Sequence, residues 1–481
     1  MFMKIINQLK KHKKKTPREK KLSLYANLWA TPIIYTGAAI LLFFLAVLAD
    51  LQWNAGEHLP SIITIQYQLT QTILSTLTAG ILSLTTFTFY GVLAALTTFS
   101  IQFSPRILKN FMMNTVTQRT LGIFIGSFHY VLLCLLFINK ETSFFFIPVL
   151  ATGLTIVSIV TFVIFINHIV TWLQVTNMTD DMKEESAIIA KNLLVEEMDN
   201  YRVDNTESIE DQIPSSDDES HFVKVEKSGY IQTIDFINLI EEAEKDNIVI
   251  KLEYKVGNYA FQSTPLFRYW KKGPSSIDES KYSSLIQLGR NQNEVQDIEY
   301  SLNKLVEIAI RAIGNNDPKT ATRTVYQIGD LLIEISDLAM FTPYLADDQG
   351  DLRLIIQNLV FRDYLYIGLA SIRHYARRNI ILTVEILKVL NAIAKVDRMD
   401  EQDAIWEFAE YTARSLEMHF IHSLDREKLY YTLFSIAETT GHKEKYDKLV
   451  DGMLRNMEDE EDRSELERKF PLDRSANNVK S

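Results

Sequence analysis

The residues of this chain whose types and spacing come closest to chemistry lie between positions 72 and 97. Thr72, Ser75, Thr76, Ala79, Ser83, Thr86, Tyr90, Ala94 and Thr97 share one face at about 100° per residue, with Leu74, Ile81 and Leu84 mostly elsewhere. A column of hydroxyls and small side chains in an apolar helix has two uses. It lets helices pack closely while each hydroxyl bonds back to its own carbonyls. Or it lines a water-filled path, in a ring of subunits or between helices, where hydroxyls replace part of an ion's hydration.

Other polar residues stand in apolar stretches. His129 falls near the middle of one, and His168 about one turn inside the end of another. An ionisable group there points to titration or ligand binding, and a neutral histidine satisfied by a neighbouring helix is the plainer alternative. Two histidines without carboxylate or cysteine companions give no metal site. Gly122-x-x-x-Gly126 permits close backbone approach and reads as helix packing. Arg106, after Ser104-Pro105, either holds lipid phosphate or lines an entrance, or serves only to set topology. Arg373, His374, Arg377 and Arg378, with Arg362 more loosely associated, form a basic patch suited to ion pairs within an acidic domain, or to an anionic ligand or lipid headgroup.

Phosphate-loop, H-E-x-x-H and G-x-S-x-G motifs are absent, and Cys134 is the single cysteine. The expectation is therefore no catalytic residue, cofactor or metal. No Asp, Glu, Lys or Arg is expected inside a span, which argues against transport driven by a buried carboxylate.

The elements that must position these residues follow from charge. Residues 1–21 carry nine Lys or Arg against Glu19, and residues 22–173 carry four cations and three acids. The remainder holds 37 basic and 57 acidic residues, too acidic for a nucleic-acid binder. Four uncharged stretches, Leu22 to Ala49, His58 to Pro105, Thr120 to Asn139 and Thr142 to Thr179, are each long enough for the roughly 20 residues that cross a bilayer, and four helices are expected at about 31–50, 70–100, 120–138 and 144–173. The basic leader and the loop with Arg106, Lys109 and Arg119 place one side of these spans in the cytoplasm by the positive-inside rule. An even number of spans returns the chain there. The expectation is a multi-pass protein of the cytoplasmic membrane with both termini cytoplasmic.

The expected organisation is a basic segment 1–30, a four-helix membrane domain 31–173, and a helical extension of the fourth span at 174–203. There follow an acidic mobile loop 204–220, a small mixed α/β domain 221–270, a helical domain 271–470 and a flexible tail 471–481. Asp235 is placed to cap a short helix through Lys245, and Phe222 to Ile231 reads as a loose strand. Ile248 to Val256 alternates as a strand, and Gly257-Asn258 signals a hairpin into Tyr259 to Ser263. Asp317 with Pro318 marks a helix start after the Gly314-Asn315-Asn316 stop, and later helices are expected at 318–341, 351–378, 380–396, 400–420, 425–440 and 443–468. The fold class is thus membrane α-helical, with a cytosolic α+β segment and an all-α C-terminal domain.

Several ordered motifs resemble one family. Phe103-Ser104-Pro105-Arg106, Gln118 with Leu121-Gly122-x-Phe124-x-Gly126-x-Phe128, and Asn167-His168-Ile169 are similar to the bacterial predicted membrane proteins catalogued as domain of unknown function 2254. So are Gly229-Tyr230-Ile231-Gln232 with Ile234-Asp235, Gln296-Asp297 leading to Ile308-Ala309-x-Arg311-Ala312, and Asn316-Asp317-Pro318-x-Thr320-Ala321. Asn167, His129 and Lys319 depart from the usual pattern, so that of the two histidines only His168 fits it. The resemblance implies an integral membrane protein with a cytosolic domain and brings no activity with it.

Two functions remain open. One is a homo-oligomeric channel or passive-transport protein gated by its cytosolic part. The other is a non-conducting anchor whose cytosolic part binds a protein or a small, for example anionic, ligand.

Overall fold

The computed structural model describes residues 30–52, 67–102, 114–138, 144–172, 175–191, 198–203, 206–215, 219–271, 277–292, 296–338, 342–357, 359–396, 401–416, 421–455 and 460–469. The chain forms two compact units, Met1–Asn177 and Met178–Ser481.

Four apolar helices make up the N-terminal unit: α1 (Ala30–Gln52), α2 (Tyr67–Gln102), α3 (Thr115–Phe137) and α4 (Phe146–Trp172). Each contains a window long and apolar enough to cross a membrane. Helix α3 is the central one, packed against the other three and twice as buried as any of them. Glycine explains its closest approach. A Cβ on Gly122 would stand 2.8 Å from the Tyr35 ring, and one on Gly126 would stand 3.0 Å from the Tyr35 carbonyl oxygen. Around this contact Phe43, Leu74, Ile81, Tyr130 and Ile147 form a shared core.

Asp50 corrects one expectation. It lies within α1 and is buried, and both of its carboxylate oxygens accept backbone N–H groups from the start of α4. Oδ1 accepts from Phe145 at 3.2 Å and Phe146 at 3.0 Å, and Oδ2 from Ile147 at 3.1 Å. The first turn of a helix has N–H groups without intrahelical partners, and here another helix supplies the acceptor. A charge inside the first apolar helix is therefore a clip between the first and last helices.

Helix α5 (Val175–Lys191), which belongs to the C-terminal unit from Met178 onward, presents Met182, Ser186 and Ala190 as its buried face. Its charged positions reach other helices of the unit, described below. The expected continuation of the fourth span runs through residues 173–174 and 192–197, which lie outside the described residues. Two short 3-10 helices follow, Asp199–Tyr201 and Thr206–Gln212. The second falls where a mobile acidic loop is expected. Its Ile209 is buried against Val249, Leu352 and Ile355, so one apolar side chain among the acids fastens the segment to a sheet.

That sheet has the strand order β1-β5-β3-β8-β7, from β1 (His221–Lys224), β3 (Ile248–Leu252), β5 (Pro265–Lys271), β7 (Tyr344–Ala346) and β8 (Leu352–Ile355). A second sheet has the order β4-β2-β6, from β2 (Gly229–Ile234), β4 (Tyr259–Ala260) and β6 (Ile286–Gly289). The hairpin expected at Gly257-Asn258 does not form. The turn is present, with Gly257 at φ +87°, but β3 pairs with β5 and β4 pairs with β2. Backbone bonds from Gly257 N–H to the Ile231 carbonyl and from Ile231 N–H to the Asn258 carbonyl, both 2.9 Å, draw the turn to the other sheet.

Strands β7 and β8 also overturn the expected helix at 351–378. Leu352 to Ile355 instead pairs with β3 in parallel, Ile250 opposite Leu354, and helix begins only at Phe361. Arg353 holds the β7–β8 turn: Nε donates to Asp347 at 2.6 Å, Nη2 to Asp351 at 3.2 Å and Nη1 to Asn247 at 2.9 Å.

Helix α6 (Phe236–Asp246) packs on β3 and β8, with Asp235 as its N-cap, and α7 (Glu279–Ser284) precedes β6. The helical part comprises α8 (Ile298–Gly314), α9 (Pro318–Leu338), α10 (Phe361–Ala376), α11 (Ile380–Val396), α12 (Gln402–Arg414), α13 (Ser423–Thr440), α14 (Lys443–Arg455) and α15 (Glu460–Lys469). Ile298, Leu302, Leu305, Val306 and Ala309 form the buried stripe of α8 expected from their spacing. Asp317 caps α9 through the Thr320 N–H at 3.1 Å. The fold is thus four apolar helices, a mixed α/β middle region with two sheets, and a helical C-terminal part.

Candidate functional site

Two places could carry a function, one in each unit. In the N-terminal unit, α2 turns Thr70, Leu74, Ile81, Thr88, Val92 and Ala95 toward its neighbours. Thr72, Ser75, Thr76, Ala79, Ser83, Thr86, Tyr90, Ala94 and Thr97 are exposed, Tyr90 by 71%. The column therefore stays together as one face and points away from the other three helices. Its hydroxyls bond to the backbone of their own helix. Thr72 and Thr76 donate at 2.8 Å, Thr86 and Thr97 at 2.9 Å and Ser83 at 3.0 Å, each to the carbonyl four residues earlier, while Ser75 donates at 3.0 Å to Thr72. Such bonds satisfy the donors and leave oxygen lone pairs on the surface.

The remaining sequence candidates are dispersed. Gly122 and Gly126 meet Tyr35, and nearby Thr31 donates to Gln118 at 2.9 Å. His129 Nδ1 donates to its own helix at the Ile125 carbonyl, 2.7 Å away. His168 is half-buried on α4. Arg106 lies outside the described residues. Among the described residues no group of three or more His, Cys, Asp or Glu is placed to hold a metal ion. In the basic patch, Arg373 lies 3.9 Å over the Tyr411 ring and Arg362 pairs with Glu407, both on α12. Arg377 and Arg378 are exposed beyond the end of α10.

The second place is a cavity in the C-terminal unit, about 600 Å³ including its solvent-open mouth. The end of β2, the segments after β3 and β8, and the start of α8 enclose it. Its walls are largely apolar, among them Ile234, Phe236, Leu252, Val256 and Ile298. Gln296 joins two walls by holding the Ile234 backbone on both sides, accepting from its N–H at 2.9 Å and donating to its carbonyl at 3.1 Å. Two of the motifs that carry the family likeness, around Ile234 and at Gln296-Asp297, thereby meet at one place.

Asp297 is the N-cap of α8, and its Oδ1 accepts from the Tyr300 N–H at 2.8 Å. Its other oxygen packs against Gly257, where a Cβ would come within 2.1 Å, so the turn needs glycine both for its positive φ and for this contact. Burial pushes the Asp297 carboxyl up to about 7. The Tyr300 N–H opposes the rise, the Glu299 charge adds to it, and the Lys255 charge opposes it. Lys255 and Glu299 pair with each other at the rim, each about a quarter exposed. Arg202, 8% exposed, donates to the Thr342 carbonyl at 3.1 Å, and Tyr364 closes the wall. Burial also raises the Tyr364 hydroxyl.

Nothing in the sequence announced this cavity, because its residues come from separate segments between Met198 and Tyr364. The usable signal was the capping position of Asp297 before a helical stripe, combined with a glycine turn that has no local hairpin partner.

Comparison with known proteins agrees with the four apolar helices. A family profile described as "Predicted membrane protein (DUF2254)" matches residues 25–392. Uncharacterised proteins of Mycobacterium bovis and of two Mycobacterium tuberculosis strains are each 26% identical over 332 residues. The match covers 66% of this chain and 63% of each relative, so the chain spans less than two thirds of the length of these relatives. No solved structure matches.

Proposed function

The chain belongs to the predicted membrane protein family DUF2254 and is a multi-pass membrane protein with four candidate spans, and from this premise we propose a homo-oligomer of the channel or passive-transport type. Copies meet along the hydroxyl-and-small face of α2, which lines the path, and the C-terminal unit is the gate or sensor. One observation carries this reading: the face that most resembles a path lining stands outside the chain's own bundle, free to line a space shared with other copies. Neighbouring copies would supply the remaining walls, and the exposed hydroxyl oxygens would face the path. The basic leader and the cations after α2 support a cytoplasmic membrane location with both termini inside. The missing catalytic motifs support a role other than an enzyme.

The test is reconstitution of the purified full chain in planar bilayers under varied voltage, tension and pH. A conductance that Thr86→Leu reduces is the expected result. Silence under all conditions, with Thr86→Leu leaving cells unaffected, would remove the path.

A second reading, a non-conducting anchor whose C-terminal unit binds a ligand or protein, draws on a different observation. The hydroxyls of α2 already have internal acceptors and sit in lipid at little cost, while the C-terminal unit holds a cavity of its own. Exchange of the four helices for unrelated spans without loss of phenotype would favour it.

A further inference from the structure

We propose that the open half of the larger sheet, the face carrying Phe222, Lys224, Arg268 and Lys251, is a docking surface for an anionic lipid bilayer. The register brings these side chains together. Phe222 on β1 stands opposite Arg268 on β5, and Arg268 stands opposite Lys251 on β3, so the three share one face in one row. The row continues to Ile355 on β8, and there the 3-10 helix Thr206–Gln212 covers the face through Ile209. Toward β1 the face is open. Phe222, Lys224, Arg268 and Lys251 are all exposed, Phe222 by 51%.

Charge selects the partner. Residues 174–481 hold 37 basic and 57 acidic residues, yet this face gathers three cations with one acid, Glu253, which pairs with Arg268 at 2.5 Å. Lys251 faces Arg268 across the ladder, and like charges directly opposite each other destabilise a sheet. Among the described residues neither Lys224 nor Lys251 has a carboxylate partner, and the Lys224 ammonium lies 5.5 Å from the centre of the Phe222 ring. An external anion relieves this repulsion.

A bilayer fits better than a soluble polyanion. The surface is the face of three adjacent strands, which matches a flat partner. Phe222 sets an apolar ring amid long cationic side chains, so the ring enters among headgroups while the charges reach phosphate. The four candidate spans hold the chain in a membrane, so lipid phosphate is always within reach and the contact is intramolecular in effect. The rest of this part of the chain, acidic in sum, is repelled by the same lipid, which favours this face over others. Docking rests on the membrane location alone, and neither conduction by α2 nor its absence bears on it.

The experiment attaches the environment-sensitive fluorophore NBD to Phe222→Cys in the full chain, the label's own ring standing in for the phenyl. Nanodiscs of phosphatidylcholine, with and without phosphatidylglycerol, receive the protein. Both faces of such a disc carry the same lipid, so the outcome does not turn on which side the unit occupies. Tyr431→Cys on α13, 66% exposed, carries the control label, and Cys134, 1% exposed, is checked by labelling the parent chain. With phosphatidylglycerol the label at position 222 is expected to brighten at least about twofold and shift to the blue. Salt at about 0.5 M is expected to reverse this. Lys224→Gln and Lys251→Gln, both surface changes, are each expected to lower the ratio of docked to free protein about fivefold. Equal signals in the two kinds of disc, equal brightening at position 431, or Lys→Gln variants that behave as the parent would overturn the proposal. Polyglutamate or single-stranded RNA that brightens the label as strongly in phosphatidylcholine discs would assign the face to a soluble polyanion and overturn it as well.

Discussion

Asp50 in the N-terminal unit and Asp297 in the C-terminal unit are both buried aspartates that accept N–H groups at the start of a helix, Asp50 from another helix and Asp297 from the one it precedes. Asp50 spends both oxygens on three N–H groups of a helix that begins almost a hundred residues later. Asp297 spends one oxygen on its own helix and leaves its second against a glycine, at the wall of a cavity. Asp50 is accordingly a joint, because both of its oxygens are held by amides of another helix. Asp297 is a cap with chemistry to spare. The difference shows how to separate architecture from function among buried acids: count the lone pairs already committed, then ask what space the others face.

The largest expected effect would sharpen the first half of that contrast. Asp50→Ala strips three N–H groups of their acceptor and should cost at least about 4 kcal/mol, since each such charge-assisted bond contributes roughly 1.5–3 kcal/mol. Reversible unfolding in detergent would read it, and a loss below about 1 kcal/mol would deny Asp50 its role as a joint.

Next in size is the pH dependence at Asp297. Its folded pKa lies above the unfolded value near 4, so the stability it contributes is full below about 4 and falls as pH rises toward about 7. At about 1.4 kcal/mol per unit, Asp297→Asn should gain on the parent by about 3–4 kcal/mol across that window. Parallel pH–stability curves for the two would show that Asp297 is ionised at no cost and erase the contrast.

Gly126→Ala should cost about 1–3 kcal/mol, because the added methyl meets a backbone carbonyl that cannot turn aside. Unfolding of the isolated variant measures it, and an unchanged midpoint would mean that α1 and α3 do not pack this closely. The smallest effect belongs to α5. Asp180 there accepts from Arg323 at 2.5 Å and from Gln327, and Lys183 meets Glu334 at 2.7 Å. With Arg323 and Asp180 each nearly half exposed, Asp180→Asn should cost under about 1 kcal/mol, and less in high salt. A cost independent of salt would identify a buried contact in place of a screened one.

Much of the fold was legible because it is local. Uncharged runs located the four helices, and Asp235 and Asp317 announced their helices from one position away. What escaped was non-local. Leu352 to Ile355 has no alternation to separate a strand from a helix turn, and only its pairing with Ile250, a hundred residues earlier, decides it. Gly257-Asn258 made a turn as its chemistry dictates, while β2 captured one arm of it. Ile209 was hidden by the acids around it.

The candidate sites divide the same way. The face of α2 could be drawn from spacing, but not whether it turns inward. In lipid an outward face need not be apolar-only when each hydroxyl is satisfied internally. The cavity could not be drawn at all, since no single stretch supplies more than one of its walls.

The Asp50 clip also sets an order of events during synthesis. Its carboxylate emerges from the ribosome 95 to 97 residues before the amides that receive it. At about 5–20 residues per second, that interval lasts roughly 5–20 s. Throughout it the Asp50 carboxyl has no helix start to accept from, and only water can supply its hydrogen bonds. Only when α4 arrives can the acid be drawn in, so the fourth apolar helix seals the first, and an early arrest would leave the bundle unlatched.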